Sequence, residues 1–109
     1  QQFCPKARAT FERYDLLLTP PLRVRPSARG RNRPEMPAGP DGAELRWSPF
    51  TYPFNLTGQP AVSVPCGRTK ADLPVGLQIV GRRFADATVL RAARAWEQIQ
   101  PWAERRPTL

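Results

Sequence analysis

Residues 50–81, FTYPFNLTGQPAVSVPCGRTKADLPVGLQIVG, constrain the fold more than any other part of this chain. Two short apolar runs are separated by a polar stretch, and each run is bracketed by proline or glycine. In the first, Val62 and Val64 alternate with Ala61 and Ser63, the period of two that gives a strand one buried face. Gly58, Gln59 and Pro60 turn the chain into this strand, and Pro65 and Gly67 are expected to end it. In the second run Val75, Leu77 and Ile79 fall on one face, and the polar residues 68–72 make a β-hairpin the economical connection. Gly76 leaves a place on the opposite face where another side chain or backbone can come close.

The flanking segments predict helix, strand and loop in turn. Residues 7–14, ARATFERY, are good helix formers and read as the end of a helix whose buried face carries Phe11 and Tyr14. Leu16, Leu17 and Leu18, closed by Thr19, Pro20 and Pro21, read as a strand buried on both faces, the pattern of parallel sheets. Residues 22–46 turn to Pro, Arg, Gly, Ser and Asp without periodicity, which predicts a long surface loop able to shape a substrate entrance. Trp47, Phe50, Tyr52 and Phe54 then restore aromatic weight, while Pro49 and Pro53 argue against a regular helix through them. Asp86 is the expected N-cap of a last helix running to about Gln100, with Val89, Leu90, Ala93 and Trp96 at helical spacing.

Composition removes several classes of function. The chain has 109 residues, enough for one domain at most. It contains no histidine, so a Ser-His-Asp triad, a Cys-His pair or a His-rich metal site cannot be built from it. No apolar run is long enough to span a membrane, and the N-terminal residues lack the apolar core of a secretory signal. Two cysteines, Cys4 and Cys66, make no disulfide framework, so a reducing cytoplasm is the default setting. The net charge of +8 would suit an anionic partner. Yet of 17 basic residues only Lys6 and Lys70 are lysine, and the arginines cluster only at Arg23, Arg25, Arg29, Arg31 and Arg33. A nucleic-acid interface is therefore disfavoured, although an Arg-rich loop that contacts RNA or another polyanion is the alternative to an enzymatic role.

One ordered set of segments carries a resemblance. It runs from Leu16-Leu17-Leu18-Thr19-Pro20 to Asn55-Leu56-Thr57-Gly58-Gln59-Pro60-Ala61 and Ser63-Val64-Pro65-Cys66-Gly67. It continues as Leu73-Pro74-Val75-Gly76-Leu77-Gln78-Ile79-Val80-Gly81, with Phe84, Asp86 and Glu97 beyond. Each component taken singly has a plain structural explanation: Asn55 caps a turn or helix start, Gly58 permits a positive φ, Gly76 allows strands to lie close. The order carries the inference. It resembles the C-terminal signature of the amidase signature family, the serine hydrolases that cleave carbon–nitrogen bonds through a Ser, cis-Ser, Lys triad.

The resemblance implies an α/β/α fold with a mixed β-sheet in an enzyme of several hundred residues, of which residues 1–109 would form the C-terminal part of a single domain. A neutral Lys would draw a proton through the cis-Ser from the nucleophilic Ser, and backbone N–H groups of a Gly-rich loop would stabilise the oxyanion. Those parts lie upstream in the family and have no counterpart here: Ser27, Ser48 and Ser63 lack Gly-rich flanks, and Lys6 and Lys70 stand in polar settings. Ser63 is the tempting choice but sits mid-strand rather than on a strained turn, and Cys66 reads as a buried inert thiol. No catalytic residue is nominated, the chain alone is expected to be inactive, and the family needs neither cofactor nor metal.

What the resemblance does assign is a wall of the acyl pocket, with Phe50, Tyr52, Phe54 and Asn55 as candidates to line it against a small-molecule amide. The subfamily that supplies ammonia from glutamine for tRNA-dependent amidation tends to carry an Asp two residues before the Phe-Thr pair, where this chain has Ser48. That departure favours a general amidase with an apolar or aromatic substrate. Strands cut from a larger sheet also leave unpaired edges, so the expected partners are the N-terminal remainder of the domain or, without it, further copies of the chain.

Overall fold

The computed structural model describes residues 3–22 and 49–106. In chain order they form α1 (Phe3–Arg13), β1 (Leu16–Thr19), α2 (Tyr52–Thr57), β2 (Ala61–Arg68), β3 (Pro74–Gly81) and α3 (Asp86–Ile99). The three strands make one sheet in the order β1-β3-β2. The β2–β3 hairpin expected from the sequence is present, with Val62 opposite Ile79 and Val64 opposite Leu77.

β3 is central because its apolar residues continue on both faces at its C-terminal end, where Gln78, Ile79, Val80 and Gly81 are all buried. On one face, Val80 meets Phe11 of α1 and Phe54 of α2, with Leu17 of β1 against them. On the other, Gly81 lies under Val89 of α3. The Trp96 indole N–H donates to the Pro65 carbonyl at 2.8 Å, tying α3 to β2. Helices therefore cover the sheet from both sides, and the fold is α/β in three layers.

Several expectations are corrected. β1 pairs antiparallel with β3, Leu17 opposite Val80 and Leu18 opposite Ile79, rather than lying in a parallel, doubly buried position. Leu18 is 58 % exposed, because it lies on the side of the sheet where α3 covers β2 and β3. In α1 the buried pair is Ala7 and Phe11, one helical turn apart, while Tyr14 is past the helix end and exposed. Pro53 does not prevent a helix: it falls in the first turn of α2, where a missing N–H breaks no hydrogen bond. β2 runs past Pro65 to Arg68, its register shifting between these two residues. Pro65 is accommodated because β2 is at the edge of the three strands and irregular there.

Asp86 is the first helical residue of α3 and not its cap. Ala85 holds the cap position without a side-chain hydrogen bond, and the Asp86 carboxylate contributes instead as an acidic group in the first turn. Val89 is buried as expected and Leu90 is exposed. The predicted loop over residues 22–46, with its arginine cluster, and also Trp47 and Ser48, lie outside the described residues apart from Leu22, which is exposed.

Candidate functional site

The segment that carries the predicted pocket residues is held by one buried amide. Gln78 of β3 is 5 % exposed. Its Nε2 donates to the Phe50 carbonyl at 2.6 Å and to Thr19 Oγ1 at 2.9 Å, so both of its N–H bonds are used. Thr19 and Gln78 are opposite each other in the β1–β3 register, which places the threonine hydroxyl where the amide reaches it. The remaining neighbourhood is close-fitting: a β-carbon built on Gly76 would lie 2.8 Å from Pro21 Cγ and 3.0 Å from Ser63 Oγ. The close approach expected at Gly76 is thus made by the proline that follows β1 and by β2.

From Phe50 the chain turns into α2, and the helix ends at Gly58, whose φ of +67° is the left-handed conformation that closes a helix. The Gly58 N–H bonds back to the Phe54 carbonyl at 3.0 Å, and the Thr57 hydroxyl donates to Gln59 Oε1 at 2.8 Å. With the helix fixed at both ends, its side chains divide by face. Tyr52 and Asn55, three residues apart, are both exposed, and Phe50 is 36 % exposed just before the helix. Phe54 points inward and is only 6 % exposed. Of the four predicted pocket residues, three face outward and the fourth supports them from the core.

A groove of about 560 Å³ opens on the same side of the sheet, between α1 and α2. Ala7, Phe11 and Leu56 give it an apolar floor, and Arg8, Glu12, Arg82 and Arg83 give it a charged rim, with Arg8 and Glu12 paired at 3.8 Å. None of the four predicted residues lines it. Arg82 is engaged with Asp15 at 3.1 Å, and the Arg83 guanidinium lies 5.0 Å from the centre of the Phe84 ring. Phe84 itself has a φ of +65° and is 83 % exposed, an unusual conformation for a bulky residue.

A nucleophile with its base is not assembled among the described residues. Ser63 is exposed in the middle of β2, Lys6 and Lys70 are exposed in α1 and in the hairpin loop, and Cys66 is a free thiol of intermediate burial. No group of three or more His, Cys, Asp or Glu suited to a metal ion occurs among the described residues. No described helix is long and apolar enough to cross a membrane. Gln78 is the buried polar residue that sequence reasoning leaves unassigned. Its signal is a lone amide in an otherwise apolar strand, but its acceptors lie 28 and 59 residues away.

Helices on both faces of a sheet, with a fixed aromatic turn at its edge, define an α/β protein of the layered kind. The chain belongs to the amidase signature family, whose Amidase model matches residues 1–90. It is 43 % identical over 99 residues to an acylamidase of Rhodococcus erythropolis, covering 86 % of this chain and 20 % of the relative. It is 46 % identical over 99 residues to a glutamyl-tRNA(Gln) amidotransferase subunit of Moorella thermoacetica, covering 91 % of this chain and 19 % of that protein. Among solved structures, 6-aminohexanoate cyclic dimer hydrolase superposes with a TM-score of 0.80 at 30 % identity, over 96 % of this chain and 23 % of that one. The chain spans about a fifth of the length of the curated relatives it matches.

Proposed function

We propose that residues 1–109 are the C-terminal part of a single amidase domain that hydrolyses an amide to a carboxylate and ammonia or an amine. In this reading the segment supplies three strands of the sheet and one wall of the acyl pocket, and the Ser, cis-Ser, Lys machinery comes from the remainder of the domain. The observation that carries it is the pairing of family membership with the absence of any serine–lysine arrangement among the described residues. The pocket wall consists of Phe50, Tyr52 and Asn55, with Phe54 behind them in the core. Two exposed aromatic side chains beside a polar amide suit an apolar or aromatic acyl group whose carbonyl end needs a hydrogen-bond partner.

Supporting the general-amidase reading over the glutamine-using one is Ser48 in place of an acidic residue before Phe50. A reducing, cytoplasmic setting accords with the free Cys66 thiol. The test is to assay release of ammonia and amines from a series of acyl amides and from glutamine, using the full polypeptide that carries this segment. Turnover of aromatic or long-chain acyl amides well above that of glutamine is expected. Efficient use of glutamine, with no turnover of acyl amides, would overturn the substrate assignment.

A further inference from the structure

We infer that Gln78 is a positioning residue for the acyl pocket, setting substrate selectivity by fixing the Phe50 peptide. This rests on the proposed pocket wall and adds to it the group that aims it. A buried primary amide has two donors to satisfy, and leaving either unpaired in the interior is costly. Gln78 satisfies one with Thr19 Oγ1, which anchors the amide to β1, and the other with the Phe50 carbonyl.

The first bond fixes the plane of the amide and the second transmits that plane to the Phe50–Thr51 peptide. Because α2 starts at Tyr52, the direction of that peptide sets where the Phe50 ring lies and how the helix carrying Tyr52 and Asn55 enters. Gln78 therefore acts on the wall through the main chain and does not contact the substrate. The backbone of β3 that holds it is the most buried part of the sheet, with Ile79 2 % exposed and Val80 fully buried. A rigid strand thus carries the reference point, and the half-exposed aromatic turn is registered against it.

The experiment compares Gln78→Met, Gln78→Glu and Phe50→Ala in the full polypeptide, over acyl amides graded from small to bulky acyl groups. Met removes both donors at similar size, and Glu keeps the shape while its carboxylate offers the Phe50 carbonyl no donor. Each Gln78 variant is expected to shift the ratio of kcat/KM for bulky over small acyl amides by about tenfold, mainly through KM, the scale of a misfitted pocket. Adding Gln78→Met to Phe50→Ala is expected to bring little further shift, since both act through one group. Trp96→Phe, which deletes a hydrogen bond on the opposite face of the sheet, is the structural control and should leave the ratio unmoved.

Should Gln78→Met fail to fold, Gln78→Glu carries the test. Gln78 variants that slow all substrates alike, or whose shift adds fully to that of Phe50→Ala, overturn the inference. A ratio moved by Phe50→Ala and not by the Gln78 variants overturns it alone. A ratio moved by neither overturns the pocket-wall reading with it.

Discussion

A β-carbon built on Gly81 would lie 2.5 Å from Val89 Cγ2, closer than such atoms approach in folded proteins. Val89 is 3 % exposed and β-branched, so it has little freedom to move aside. Gly81→Ala is expected to lower stability by about 1–3 kcal/mol through overpacking, read from denaturant melts of the full polypeptide. Phe54→Ala is expected to cost about 3–5 kcal/mol, since it empties the centre of the cluster formed with Phe11 and Val80. A Phe54→Ala variant as stable as the parent would show that α2 is not anchored through this ring. At this scale the sequence is legible where a residue acts through its own backbone freedom or local period, as at Gly76, Val64 and Ile79. It is not legible at Phe54, where alternating aromatics and prolines give no period to tell the inward ring from the outward ones.

The elements themselves are mostly readable, and the misread direction of β1 has a non-local origin. An apolar run such as Leu16 to Leu18 says that a strand is buried somewhere, but the direction of its partner depends on β3, far along the chain. The hairpin is easier, because both strands and their connection lie within one stretch. Its loop also carries a separable prediction. Asp72 has a φ of +60° and forms an ion pair with Arg68 at 2.9 Å, with its own side chain 80 % exposed. An exposed pair of this kind contributes little, while the left-handed conformation penalises most side chains. Asp72→Asn and Asp72→Gly are therefore expected to be nearly neutral in thermal melts, and Asp72→Ala to be destabilising by about 1 kcal/mol. Equal losses in all three would assign the role to the charge instead.

At the scale of the molecule, several large apolar side chains of the described residues are left uncovered. Leu18, Leu56, Phe84, Leu90 and Ile99 are each more than half exposed. The three-stranded sheet ends on β1 and β2, whose outer edges pair with no described strand. This agrees with a chain that spans about a fifth of its relatives' length. The isolated 12.3 kDa chain is expected to self-associate and to bind a hydrophobic dye, as read by light scattering after size exclusion and by fluorescence. A clean, stable monomer without dye binding would contradict that expectation.

In the proposed reading this segment shapes a substrate site whose nucleophile lies elsewhere in the polypeptide. The decisive experiment is to label the full polypeptide with a fluorophosphonate, which reacts with activated serines, and to locate the adduct by peptide mass spectrometry. A single labelled serine outside residues 1–109 is expected. An adduct on Ser63, or on any other serine of this segment, would contradict it.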